Sequence, residues 1–364
     1  MQFANLHTHT LFSDGAISPE DLVKKVYDEP DLAYFALADH DTMSGIEPVF
    51  RSKSRYESGI QSKRIRFIPG VELSLMDEPS DLVVHLIGLF PHINEENHKE
   101  ELKRVDAVLG EFCRYRSSNR GIRDLDARIR RAFAINLDGL AERYHSAEEV
   151  IGLLRQRAEV KNRACFRQAG KEHDVIQHPI PVSYQTIIDY WEELVPSSTK
   201  EKVTLYILRP DRQKTEKLRE IYMSEGMGAS EAKKLAEENQ GTLCNIKKPA
   251  LQEKGILEGL ALIKKAGAVS ILVHPAVDHR QIGYDDFDRH ILYPLIDQGL
   301  DGIEVYYPYD RSYRDEAMQH YEKVAREQGL LISGGTDFHG DGRIGLSEVK
   351  LDAREALRLI NYRT

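Results

Sequence analysis

The chain has 364 residues, 41% of them hydrophobic and 30% charged, which is enough apolar material for a packed core. These proportions exclude a mainly disordered protein, a fibrous one and a disulfide mini-fold, and no apolar run approaches the ~18 residues of a membrane helix. A net charge of −9 argues against nucleic-acid binding through bulk charge and leaves only local basic patches open.

Cys113, Cys165 and Cys244 are scattered and form no C-x-x-C pair, so they read as reduced thiols. Met1-Gln2-Phe3 leads directly towards His7-Thr8-His9, without the basic start and apolar run of an export signal. A cytoplasmic location is the expectation. In chain order, apolar runs at 3–6, 33–38, 66–71 and 82–89 read as four strands. A helix starts between the first two at Ser18-Pro19-Glu20-Asp21, with Ser18 as N-cap, Pro19 in the first turn and two acids at the positive helix end. Residues 96–264 change character, being rich in Arg, Lys, Glu, Leu and Ala at helical spacing, and read as a mainly helical insertion domain. Strand and helix then alternate again. Runs at 268–273, 302–306 and 330–333 give three more strands, and a helix at 315–328 is closed by Gly329. The expected architecture is α/β, a parallel sheet or (β/α) barrel of seven strands built from 1–95 and 265–364.

Each strand delivers a histidine or carboxylate at or near its end. His7 and His9 are two apart on the first strand, so both rings project from one face, and Ser13-Asp14-Gly15 follows as a turn. Asp39-His40-Asp41 ends the second strand, Glu72 lies at the end of the third, and the fourth carries His85. His274-Pro275 follows the fifth, Glu304 lies in the sixth, and Asp337-Phe338-His339 follows the seventh. In a (β/α) barrel the carboxyl ends of the strands share one face, so residues distant in sequence converge there. One strand-end histidine is commonly a hydrogen-bonded structural residue. Six histidines and three carboxylates at matching ends form a donor set without thiolates, suited to zinc, manganese or iron. Nine donors exceed the four to six positions of a single ion, which points to two or three divalent ions with bridging carboxylates.

The motifs His7-Thr8-His9, Ser13-Asp14-Gly15, Asp39-His40-Asp41-Thr42, Gly70-Val71-Glu72, His85-Leu86-Ile87-Gly88, His274-Pro275 and Thr336-Asp337-Phe338-His339-Gly340 occur in this order. In them the chain resembles the PHP (polymerase and histidinol phosphatase) superfamily, particularly its stand-alone phosphoesterases, which include nucleoside 3′,5′-bisphosphate phosphatases. The resemblance implies a distorted (β/α)7 barrel with an additional helical domain before the His-Pro motif. It also implies a ligand set. His7, His9, Glu72 and Asp337 would hold one ion, and Glu72, His85 and His274 a second. Asp14, His40 and His339 would hold a third, with Asp39 and Asp41 supporting from behind and Glu304 not ligating.

Such a cluster suits phosphoester hydrolysis, because divalent ions polarise phosphoryl oxygens and generate hydroxide that attacks phosphorus. No general acid is identifiable, and neither a G-x-S-x-G elbow nor a P-loop is present. A small phosphorylated substrate is expected, a nucleotide or nucleoside 3′,5′-bisphosphate; histidinol phosphate, an RNA or DNA end, and a non-catalytic binding role are the alternatives. Residues 113–132 hold seven Arg against two Asp, so Arg116 and Arg120, together with Arg343 beyond the last motif, are the candidate phosphate contacts.

Overall fold

The computed structural model describes residues 2–59, 64–77, 82–115, 152–153, 156, 219–220, 222–224, 226–236 and 255–362. The chain divides into two compact units, 1–114 with 254–364, and 115–253. The described residues of the second unit include a small apolar cluster of Tyr222, Ala232 and Ala236.

In the first unit the strands are β1 (Phe3–Asn5), β2 (Leu32–Leu37), β3 (Arg66–Asp77), β4 (Leu82–Leu89), β5 (Val269–Leu272), β6 (Gly302–Tyr306), β7 (Leu331–Gly334) and β8 (Leu351–Asp352). The principal helices are α1 (Pro19–Asp28), α2 (Ile46–Gly59), α3 (His98–Tyr115), α4 (Ile256–Lys265), α5 (Pro275–Ile282), α6 (Arg314–Gln328) and α7 (Ala353–Ile360). Short helical turns fill 284–297 between α5 and β6. Among the described residues no helix is long and apolar enough to cross a membrane.

Local signals set several boundaries. The Ser18 side chain accepts from the Asp21 backbone N–H at 3.1 Å and caps α1, which buries Leu22, Val23, Val26 and Tyr27 on one face. Gly329 takes the left-handed conformation at φ 68° and ends α6. In β2 and just beyond it, Phe35, Ala36, Leu37 and Ala38 are all buried, as expected of a strand covered on both faces.

The sheet runs β7-β6-β5-β4-β3-β2-β1-β8. The end of β1 approaches the end of β7, where Leu6 N–H donates to Gly334 O at 3.0 Å and His9 N–H to Phe338 O at 2.8 Å, so the sheet curls into a nearly closed barrel. All seven expected strands are present. Two features depart from a uniformly parallel (β/α)7 pattern. First, β4 runs antiparallel to both β3 and β5. Only four residues separate Asp77 from Leu82, whereas a parallel return needs a dozen or more, so a hairpin is the only connection that fits. Second, β8 adds a two-residue antiparallel strand beside β1.

The helices bordering the second unit also pack differently from the expectation that 96–264 stands apart. Val105 and Leu109 of α3, and Ile256, Leu260 and Ile263 of α4, are buried in the barrel's own core. Their apolar residues recur at helical spacing because one face covers the sheet, which composition alone did not distinguish from a separate helical domain.

At the barrel closure Gly335 leaves no room for a side chain, since an added Cβ would lie 2.4 Å from His7 Cβ and 2.6 Å from His7 N. Gly335→Ala is therefore expected to destabilise the first unit by roughly 1–3 kcal/mol, the cost of overpacking. Denaturant unfolding measures it, and an unchanged midpoint would show that the closure has slack.

Candidate metal centre

Backbone pairing continues past the strand ends and brings the chemical residues together. Ala38 N–H donates to Thr8 O at 2.9 Å, Asp41 N–H to Glu72 O at 2.8 Å, and Phe338 N–H to His7 O at 3.3 Å. These bonds align 7–9, 38–41, 72 and 337–339 side by side at one mouth. The antiparallel β4 presents the same face from its amino half: Ser74 opposes His85, so His85 lies diagonally from Glu72 on one side of the hairpin.

Glu72 is fully buried at the centre. Its Oε2 lies 3.1 Å from His7 Nε2, 3.2 Å from His9 Nε2 and 3.3 Å from His40 Nδ1. Its Oε1 lies 3.1 Å from His85 Nδ1 and 3.3 Å from His274 Nε2. Asp337 Oδ1 sits 2.9 Å from His9 Nε2 and 3.4 Å from His7 Nε2. On the other flank Asp14 Oδ1 is 3.2 Å from His339 Nε2 and Asp14 Oδ2 is 3.7 Å from His40 Nε2. All nine sequence-predicted donors therefore occupy one cluster. Three sets lie close enough to share an ion: His7, His9 and Glu72; His40, Glu72 and His85; and His9, Asp14, His40 and His339.

The donors fit a divalent cation. His7 Nε2 and His9 Nε2 face each other at 3.1 Å with carboxylate oxygens converging on the same space. Two imidazole nitrogens so placed need a proton or a cation between them. His40 Nδ1 and His274 Nδ1 are buried and make no hydrogen bond.

Surrounding groups hold the donors. Asp39 accepts from Thr10 N–H and Thr10 Oγ1 at 2.7 Å each and from Ser13 Oγ at 2.8 Å, fixing the turn that carries Asp14. Asp41 accepts from Ser74 N–H at 2.9 Å. Three further supports, Asn5, Tyr307 and Asp278, were not apparent from the sequence, and Glu304 joins them. Asn5 is buried, accepts from His7 N–H and Thr336 N–H, and donates to Thr336 Oγ1, so it joins the first and last motifs. Tyr307 donates to Asp337 Oδ2 at 3.1 Å, leaving Oδ1 to face the histidines. Asp278, on α5 four residues after His274, is buried with Oδ2 unbonded. Glu304, expected not to ligate but to serve either the fold or the support of the donors, places its Oε1 3.0 Å from His7 Nδ1. Of these, Asp278 alone had a legible signal, its i+4 spacing from His274. Asp41, His274 and Asp337 adopt positive φ of 49°, 34° and 50°, a strained state that concentrates at functional sites.

Of the proposed phosphate contacts, only Arg343 lies among the described residues. Arg343 is 85% exposed and pairs with Asp341 at 2.6 Å. Arg116 and Arg120 lie outside the described residues, as does most of the 113–132 basic patch.

Burial opposes the charge on every group, and mutual pairing overrides it. Burial would lower the imidazolium pKa of His9, yet Asp337 and Glu72 raise it to about 10. Burial likewise works against charged His274, but Glu72 and Asp278 bring it up to about 9. Despite burial, the histidines around Glu72, Asp14 and Asp337 hold all three acids below the usual carboxylate range. His40 is the exception, its pKa depressed by burial and by neighbouring imidazoliums. Asp278 is pushed up to about 6, chiefly by burial.

The mouth of this barrel gathers nine imidazole and carboxylate donors, a set able to hold divalent ions. The PHP domain profile matches residues 5–200, more than half of the chain, and the chain belongs to the PHP domain family. This membership agrees with the family that the motifs resemble. Among curated proteins, the 5′-3′ exoribonuclease Rnm of Escherichia coli K12 is 39% identical over 85 residues, 23% of this chain and 26% of that protein. Its counterpart in Salmonella typhimurium LT2 is 38% identical over the same length and shares. The chain thus matches about a quarter of the length of these relatives. Two solved structures share the fold. One, a proposed metal-dependent phosphoesterase from Bifidobacterium adolescentis, is 18% identical with a TM-score of 0.52, covering 99% of this chain and 96% of the other. The other, an amidohydrolase from Chromobacterium violaceum bearing sulfate and no metal, is 18% identical with a TM-score of 0.51, covering 94% and 89%.

The titration directions set the behaviour of the metal-free protein. His9 and His274 have raised pKa values, so their stabilisation is fully present below about pH 6.5 and is lost as the pH rises through about 9 to 10. The lowered acids stabilise above about pH 4 and lose this as the pH falls through their depressed values. Thermal melting of EDTA-treated protein should therefore give its highest Tm between about pH 4 and 6.5, with a decline of several degrees towards pH 10. A Tm that climbs steadily across that alkaline range would contradict the charge arrangement.

Proposed function

We propose that the protein hydrolyses a terminal phosphate from a small nucleotide, with nucleoside 3′,5′-bisphosphates the favoured class. The observation that carries the reading is Glu72, whose two oxygens each face a separate group of imidazoles, as suits a carboxylate shared between ions. In this reading His7, His9, Glu72 and Asp337 hold one ion, Glu72, His85 and His274 a second, and Asp14, His40 and His339 a third. Manganese, zinc and iron all suit these donors. Bound divalent ions supply Lewis-acid polarisation of the phosphoryl oxygens and acidify a water for attack.

The chain's own residues supply the rest. The imidazoles and acids form a preorganised, water-poor cradle whose charges are set before substrate arrives. Asp39 anchors the turn bearing Asp14, and Tyr307 leaves Asp337 with one oxygen directed at the cluster. Tyr307 also packs its ring 5.4 Å from that of His274 at the mouth, where an aromatic face suits a base or ribose.

A second reading, 5′-3′ exonucleolytic action on RNA ends, is favoured by the 39% identity to the Escherichia coli exoribonuclease over 85 residues. Both readings use the same phosphoester chemistry and differ in what lies beyond the scissile phosphate.

Manganese-reconstituted protein should release phosphate from a nucleoside 3′,5′-bisphosphate faster than from histidinol phosphate or p-nitrophenyl phosphate. Shortening of a 5′-phosphorylated oligoribonucleotide in preference to the bisphosphate would favour the second reading. His9→Ala should lower kcat/KM by at least about 100-fold, the scale of losing a stabiliser of transition-state charge. Hydrolysis that survives EDTA, or wild-type rates in His9→Ala, would refute both.

A further inference from the structure

Glu304 stands one layer behind the donors. It lies in the middle of β6, 1% exposed, and neither carboxylate oxygen faces the cluster's centre. Oε2 accepts from the backbone N–H of His274 at 2.9 Å, and Oε1 lies 3.0 Å from His7 Nδ1. One side chain thus reaches two residues 267 positions apart in sequence, on either side of the shared Glu72.

Hydrogen-bond accounting makes this contact directional. A backbone N–H can only donate, so Oε2 is committed as an acceptor. With both oxygens of Glu304 acting as acceptors, the proton of the His7 contact belongs on Nδ1. That leaves His7 Nε2 free to present its lone pair to the space it shares with His9 Nε2, Glu72 Oε2 and Asp337 Oδ1 at 3.1, 3.1 and 3.4 Å. Meanwhile the bond to His274 holds a non-glycine residue at φ 34°, in the left-handed region that L side chains avoid. The ring of that residue faces His85 and Glu72 from the opposite side.

We infer that Glu304 is a positioning residue that sets the donor tautomer of His7 and pins the backbone of His274, so that both halves of the donor set depend on one carboxylate. The inference rests on the reading of His7 and His274 as metal donors. Carboxylates behind ligating histidines characteristically act this way, and their loss lowers metal affinity by about 10–100-fold. The distinctive consequence is that glutamine, although isosteric, cannot substitute. If its amide oxygen accepts from His274 N–H, its NH2 faces His7 Nδ1 and forces the proton onto Nε2. If the amide is flipped, its NH2 opposes the His274 N–H.

The test measures zinc bound per chain by elemental analysis across buffered free-zinc concentrations, for wild type, Glu304→Gln and Glu304→Ala. Glu304→Gln should require about 10–100-fold more free zinc than wild type, with a loss at least as large as that of Glu304→Ala. A purely packing role would rank the variants the other way, and near-wild-type zinc binding by Glu304→Gln would overturn the inference. A second measurement needs no variant to fold. In zinc-loaded, 15N-histidine-labelled wild type, long-range proton–nitrogen correlation spectra should show His7 protonated at Nδ1. Protonation at Nε2 would overturn the inference as well. Failure of wild type to bind zinc or manganese at all would instead refute the metal-site reading, which keeps the two failures distinct.

Discussion

The structure depends on one buried carboxylate. Glu72 has no exposure and is faced by five imidazoles, three on one oxygen and two on the other. An isolated carboxylate at that depth would be strongly unfavourable, so its charge persists only because positive charge surrounds it. The imidazoles, like Glu72, sit on or just past strands whose backbone is paired. In the metal-free protein the acids raise the pKa of His7, His9 and His274, so protons on these rings offset the buried negative charge, and a bound cation would replace them.

The barrel exists, in functional terms, to bring these groups together. Parallel pairing of β1 with β2 and of β2 with β3 places 7–9, 38–41 and 72 in adjacent rows. Closure through Leu6, His9 and Phe338 adds 337–339 to the same face. The β3–β4 hairpin is the local exception, and it contributes as well: reversing the chain within a few residues returns His85 beside Glu72 without a crossover helix. Stability and site geometry are therefore coupled. Asn5 shows this most directly, since its single amide joins the backbone of His7 to Thr336, next to Asp337.

Much of this was legible in the sequence. Strand ends bearing His, Asp or Glu reveal themselves because apolar runs have a recognisable period and the donors follow them at short, regular offsets. Ser18, Pro19 and Gly329 announced helix ends for reasons local to a few residues. What stayed hidden depends on register between distant strands. Glu304 reads as an acid within an apolar run, and only the pairing of β5 with β6 and the barrel's curvature turn it towards His7 and His274. Tyr307 and Asn5 are likewise ordinary residues until closure sets their neighbours. The direction of β4 was not legible, because the apolar run at 66–71 stops short of the true end of β3 at Asp77 and so conceals how brief the connection to Leu82 is. Arg343 lies exposed at the surface, where Asp341 pairs with it.

Anomalous X-ray scattering at the manganese edge, from crystals grown with manganese, tests the central claim most directly. The account predicts strong peaks on both sides of Glu72, within bonding reach of His7, His9 and Asp337 on one side and of His85 and His274 on the other. An absence of anomalous density around Glu72 in crystals saturated with manganese, with the imidazoles turned away from it, would contradict the account.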